Sequence, residues 1–353
     1  MPDWTRSMKQ TFEYYIVDPG TWRDKTKISN VESCSITRDS EVNTLGSATI
    51  TCEEDFSDNY IRCYLVTEQD GRIEKEPLGT HIYQSPSIEY QSTRHSSSQD
   101  GYTPLIELDE KLPPYGYTIF SGEPIVGMTG RLIQEHARAP VIFGTGEGTL
   151  VDDFVANTED TWLTFLTDFM ANDKYHFGLN PDGRILLEKD QAVEALKPIW
   201  TFDDSNSSIL YPDVTLARDL YGIPNVVEVV YSPPDGTAMF VRAENNDPAS
   251  PTSIQNRGRE IVFRDTNPSV VDAITETQLQ EYARNVLKEK SSLEYTLTYK
   301  HGYCPVRLGD CVLLDYKRAG LRRIKAKIIR QVINCTTGCT VQETAVFSKQ
   351  LWG

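Results

Sequence analysis

Period-two alternation, strongest in the first hundred residues and again in the last third, restricts this chain more than any other feature. In Ser47-Ala48-Thr49-Ile50-Thr51-Cys52, Ala48, Ile50 and Cys52 fall on one face and hydroxyls on the other. Ile61 to Val66 repeats the habit with Ile61, Cys63 and Leu65 inward; a turn at Gln69-Asp70-Gly71 and a strand ending near Tyr83 follow. A helix cannot keep such a pattern, because its apolar face recurs every three or four residues. Tyr295-Thr296-Leu297-Thr298, Cys311 to Asp315, a turn at Ala319-Gly320 and a strand to Ile333 echo the first layout. The expected class is α+β, mostly β, with two β-barrels of one design and a smaller α+β module.

That module is the clearest local unit. Trp162, Phe165, Leu166, Phe169 and Met170 form a full helical stripe, and Thr158 is the expected N-cap. Tyr175-His176-Phe177 reads as a strand, Asn180-Pro181-Asp182-Gly183 as a tight turn, and Arg184 to Leu187 as the return strand. Helices are also expected from about Gly130 to Ala139 and from Thr275 to Lys290. The second carries Leu279, Tyr282, Ala283, Val286 and Leu287 on one side and has capping-box spacing between Thr275 and Gln278. The serine-rich stretch from Ser85 to Gln99 reads as a loop or mobile hairpin. Asn225 to Tyr231 reads as a strand, followed by a polar excursion to Arg259. These features divide the chain into residues 1–125, 126–212 and 213–353.

The charge balance argues against nucleic-acid binding. Fifty-one acidic side chains face 35 basic ones, a net charge of -16, whereas phosphate neutralisation needs a lysine and arginine surplus. No apolar run reaches the roughly 20 residues of a membrane span, and the first residues lack the apolar core of a secretory signal. No membrane insertion is expected, and synthesis in a cytosol follows.

No catalytic template fits. Glu53-Glu54-Asp55, Asp152-Asp153 and Asp203-Asp204 are adjacent in sequence, which does not set two carboxylates across a cleft. His81, His95, His136, His176 and His301 are scattered. Gly144-Thr145-Gly146-Glu147-Gly148 lacks the Gly-Lys-Ser/Thr ending of a phosphate loop and reads as a flexible linker. Seven cysteines cannot all pair internally; Cys34, Cys52 and Cys63 sit in the apolar phase of strands, where a thiol acts as a small hydrophobe. Cys335-x3-Cys339 has zinc-knuckle spacing, but Cys304-x6-Cys311 does not, so these four are read as bystander thiols. No metal, cofactor or catalytic residue is expected.

One charge feature stands against the acidic background. Lys317, Arg318, Arg322, Arg323, Lys325, Lys327 and Arg330 place seven cations within 14 residues. Arg323, Lys325 and Lys327 share one expected strand face, opposite Ile324, Ala326 and Ile328. Two readings stand: a solvated face whose lysines discourage edge pairing, or a docking surface for an acidic neighbour, such as another copy of the chain.

Three passages, taken in order, carry a resemblance to known proteins. The first is Asp100-Gly101-Tyr102-Thr103-Pro104-Leu105 with Tyr117-Thr118-Ile119-Phe120-Ser121-Gly122-Glu123-Pro124-Ile125 and Leu132-Ile133. The second runs from Thr161-Trp162-Leu163-Thr164-Phe165-Leu166 through Tyr175 and Phe177 to Asp182-Gly183-Arg184-Ile185. The third is Asn256-Arg257-Gly258-Arg259, a helix with Ala283 and Leu287, then Cys304-Pro305-Val306-Arg307-Leu308-Gly309-Asp310-Cys311-Val312.

In this order the passages resemble the central hub proteins of phage baseplates, including those of defective bacillary prophages and contractile tails. The resemblance implies two tail-tube-like barrels per subunit and a homotrimer that presents six barrels to the tail tube. It also implies a virion subunit at the tail baseplate, assembled in the bacterial host cytoplasm. The implied partners are a central spike protein, a tail tube or distal tube ring protein, tape-measure protein and baseplate wedge proteins, with the genome passing unbound through the lumen. A β-rich tail-tip module that binds or degrades cell wall is the alternative.

Overall fold

The computed structural model describes residues 2–91, 94–232, 237–268 and 275–350. Its first hundred residues form β1 (Lys9–Asp18), β2 (Arg23–Ile28), β3 (Val31–Asp39), β4 (Gly46–Cys52), β5 (Asn59–Gln69), β6 (Arg72–Gln91) and β7 (Arg94–Tyr102). The chain divides into two units, residues 1–214 with 298–345 and residues 215–297 with 346–353.

In the first unit the hydrogen-bonded order runs from the strand Ile324–Asn334 through β3, β4, β7, β6, β5 and β1 to β2. Every neighbouring pair in that order is antiparallel. The expected mostly β, α+β class is therefore present, but strands assigned by sequence to separate barrels share one sheet. No sheet closes into a barrel among the described residues. At the β2 edge, Arg23 to Lys27 are exposed, and lysines on an exposed edge disfavour further strand addition.

The stretch read as a loop from Ser85 to Gln99 is instead the end of β6 and most of β7, paired from Pro86↔Gln99 to Gln91↔Arg94. Its turn, residues 92 and 93, lies outside the described residues. Backbone pairing needs no apolar alternation, and this hairpin is largely exposed at Pro86 to Tyr90. Alternation also understates β5: Ile61, Cys63 and Leu65 are buried as expected, yet Tyr60 and Arg62 on the other face are buried too. The α+β module covers them. Tyr60 joins its apolar core and donates to Glu107 Oε1 at 2.8 Å. Arg62 pairs with Asp24 at 2.9 Å and donates to the carbonyl of Asp182 in the 180–183 turn.

The module is built on the helix Trp162–Ala171, whose predicted stripe is buried from end to end. Burying each such side chain contributes about 1.5–3 kcal/mol. Its N-cap is Thr161, three residues beyond the expected Thr158, because Thr161 and Thr164 satisfy each other's backbone amides in a capping box. The preceding helix is Ile125–His136, starting five residues earlier than predicted, with Pro124 as its N-cap. Tyr175–Leu179 and Ile185–Lys189 form the expected hairpin. The glycine-rich segment is packed rather than a free linker: a Cβ at Gly146 would stand 2.3 Å from Val126 Cγ2, and one at Gly148 2.2 Å from Asp173 Cγ.

The second unit holds Val226–Tyr231 between antiparallel Met239–Glu244 and parallel Val262–Asp265. Part of the expected polar excursion is thus a strand and a helical turn, Ile254–Arg257. The helix Glu276–Lys290 starts at the predicted Thr275–Gln278 capping box. It buries Leu279, Ala283 and Leu287 against Val227, Val229, Val241 and Ala243.

One buried group gives the first unit a pH dependence. His81 is 5% exposed, and burial, reinforced by the Arg38 charge, pushes its imidazole down to about 3. The unfolded chain takes up that proton near pH 6.5. Stability from neutral His81 is therefore complete above pH 6.5 and is lost as pH falls toward 3. His81→Gln should flatten the change in urea midpoint across that window; identical slopes for the two proteins would contradict this.

Candidate functional site

The seven cations do not act as one strip. Lys317 and Arg318 are exposed on the turn Lys317–Ala319, and Arg322 and Arg323 are exposed on the approach to the next strand. Arg323 lies before that strand with φ of 50°, so it does not share a regular strand face with Lys325 and Lys327 as predicted. Lys325 Nζ donates to the carbonyls of Glu194 and Leu196, each at 2.9 Å. Arg330 pairs with Asp39 at 3.3 Å. Among the described residues no ion pair joins Lys317, Arg318, Arg322, Arg323 or Lys327, and four of these five are exposed.

The strand that follows changes phase. Ala326 and Ile328 are buried, then Gln331 and Ile333. The switch falls where the partner changes, from Cys311–Asp315 for residues 324–327 to β3 for residues 330–334.

Gln331 enters a buried polar network that sequence reading missed. Its Nε2 donates to Glu343 Oε1 at 2.7 Å, and its Oε1 accepts from Arg38 at 2.8 Å. Tyr299 donates to Glu343 Oε2 at 2.8 Å, and His301 Nε2 stands 3.1 Å from Oε1. His301 Nδ1 lies 2.6 Å from the carbonyl oxygen of Gly302. Glu343 and His301 are wholly buried. Their sequence signal was faint: polar residues at inward positions of strands.

Members of the acidic pairs hold backbone turns, two within their own turn and one across a longer loop. Asp55 accepts from Ser57, Asp203 from Ser205, and Asp153 from the amide of Ser121. All seven cysteines are free and buried. The sequence quartet does not assemble; Cys335 instead meets Cys34 and Cys63, whose three sulfurs lie within 4.8 Å of one another. This is the one group of three or more such ligand atoms found among the described residues. Leu112, Tyr115, Phe120, Val151 and Val155, on and beside the module, are exposed, Tyr115 by 93%, and other exposed apolar side chains, among them Ile73, Tyr90 and Tyr221, lie elsewhere. No helix among the described residues is long and apolar enough to cross a membrane.

With this arrangement, solved structures match nearly end to end. A tail protein from Neisseria meningitidis MC58 aligns over 97% of this chain and 98% of its own, with TM-score 0.60 and 14% identity. The 43 kDa tail protein of prophage MuSo2 from Shewanella oneidensis aligns over 96% and 98%, with TM-score 0.62 and 12% identity. The chain has a phage tail protein fold. An E. coli component of the type VI secretion system, described as structurally similar to the T4 tail proteins gp27 and gp5, shares this tail-protein fold over 96% of the chain and 78% of its own length, with TM-score 0.52 and 8% identity. No protein-family model and no curated protein matches the sequence.

Proposed function

We propose that the chain is a structural subunit of a phage-type tail baseplate or tail tip, a hub that assembles as a homotrimeric ring. The ring adapts a threefold central spike to the sixfold tail tube. The observation that carries this reading is the end-to-end correspondence with tail proteins, covering both units rather than one module. The similarity of the type VI component to the T4 tail proteins gp27 and gp5 supports a tail-baseplate reading. The two sheet regions of the subunit then take the place of tube-like barrels, and the module's exposed apolar side chains become contacts within the assembly. The role is structural and needs no catalysis. Spike, tube or distal ring, tape-measure and wedge proteins are the partners, and the genome passes through an acidic lumen without binding.

In this reading the exposed cations dock onto an acidic neighbour in the ring. Lys325 and Arg330 are already engaged within the chain, which leaves Lys317, Arg318, Arg322 and Arg323 as the outward set with Lys327 beside them. The test is electron microscopy of the chain mixed with its tube and spike partners, since an isolated hub can stay monomeric below its assembly concentration. Threefold rings are expected, and the double variant Arg322→Glu, Arg323→Glu should form fewer of them while keeping its unfolding midpoint. Rings undiminished by the double reversal would remove these residues from the interface.

A further inference from the structure

Cys34, Cys63 and Cys335 come from positions far apart in sequence, Cys63 and Cys335 being separated by 272 residues. Three separate features bring them together. Cys34 lies on β3 opposite Ile50, Cys63 lies on β5 opposite Tyr14, and the amide of Cys335 donates to the carbonyl of Cys34 at 3.0 Å. Their side chains are 4%, 3% and 6% exposed.

The spacing suits a cation. A metal held at about 2.3 Å from each thiolate in tetrahedral geometry sets its sulfurs about 3.8 Å apart, and the sulfurs of Cys63 and Cys335 stand 3.8 Å apart. The third sulfur lies within 4.8 Å of both, so all three sulfurs border one common point. The niche is also more polar than a core filled by small hydrophobes requires. Tyr14 and Tyr83, 6% and 2% exposed, lie beside the three cysteines, and hydroxyls near ligating sulfurs can serve as the outer layer of a thiolate metal site.

We propose that Cys34, Cys63 and Cys335 hold one thiophilic d10 cation, of the zinc(II) or copper(I) class, as a structural clamp. On binding, each thiol gives its proton to solvent and its sulfur lone pair forms the bond to the metal, with no change of oxidation state. Soft sulfur ligands select these ions over magnesium or calcium. Because the site is buried, the metal enters as the chain folds, and its binding energy becomes folding energy. The clamp ties β3 and β5 to the residue that follows the strand Ile324–Asn334, far along the chain. This assignment stands apart from the proposed role in the tail.

The full chain, expressed with added zinc and purified under reducing conditions, should carry about one equivalent of zinc or copper by elemental analysis. Cobalt(II) in its place should give a thiolate-to-metal charge-transfer band, and X-ray absorption should count three sulfurs. Cys63→Ser should lose the metal, whereas Cys304→Ala should keep it. If Cys63→Ser fails to fold, the sulfur count on the unaltered chain decides. A folded, fully reduced chain that holds no zinc, copper or cobalt when offered each would overturn the proposal. So would a sulfur count of zero or one, or a disulfide joining any two of the three cysteines.

Discussion

Glu343→Ala is expected to destabilise the first unit by about 3–5 kcal/mol, because it strands the buried donors of Tyr299 and Gln331. The carboxylate accepts from Tyr299 and Gln331 and faces His301 Nε2. Alanine would leave these groups facing a void from which water is excluded. Each unsatisfied donor costs about 1–3 kcal/mol, and partial collapse of the site keeps the total below their sum. Glu343→Gln retains the shape and one acceptor oxygen, so its loss should be smaller. Urea unfolding gives the magnitude, and hydrogen exchange gives the place. Peptides covering 298–302 and 324–334 should lose protection, while those covering 226–231 and 239–244 should not. A midpoint within error of the unaltered protein would show that the network contributes nothing.

Phe165→Ala should cost about as much, 3–5 kcal/mol, through the cavity left in the module. Phe165 is fully buried. Its ring meets Phe154 at 5.2 Å, Tyr117 at 5.7 Å and Trp162 at 5.9 Å between centroids, with Phe169 stacked at 6.5 Å. Trp162 and Phe169 share the helix Trp162–Ala171 with Phe165, so those two rings cannot close the gap without moving that helix. Phe165→Leu should lose only about 1–2 kcal/mol, since it keeps most of the volume. Equal losses for the two variants would mean that the ring's shape, and not the filled space, carries the stability.

What could be read from sequence was local. The stripe from Trp162 to Met170 and the Thr275–Gln278 cap depend on neighbours within one or two turns, and both stand as expected. The cap at Thr161 was missed because Thr158, Thr161 and Thr164 offer the same hydroxyl at three-residue spacing. Only the reciprocal bond with Thr164 separates them. β6 and β7 were hidden for the opposite reason. Their serine-rich ends are held by backbone pairing, with Pro86 to Tyr90 exposed and polar Ser97 and Gln99 at the buried positions of β7, so no apolar rhythm marks them.

The candidate sites were less legible because they are assembled by distant strands. The run 317–330 was visible as charge, yet sequence could not show that Lys325 is tied to the carbonyls of Glu194 and Leu196, or that Arg323 sits in a left-handed turn. Cys34 and Cys63 were correctly placed in the apolar phase. Their meeting with Cys335 depends on β5 and the strand Ile324–Asn334 lying within one sheet, a relation no local pattern contains. The Glu343 network was missed for the same reason, since its members come from residues 38, 299, 301, 331 and 343.

The most direct test of the account is class-averaged electron microscopy of the chain assembled with its tail tube and central spike partners. The account predicts a ring of three copies between tube and spike, with threefold symmetry that appears as six similar lobes on the tube side. A single copy at the tube end, or a ring of six identical subunits, would contradict the hub.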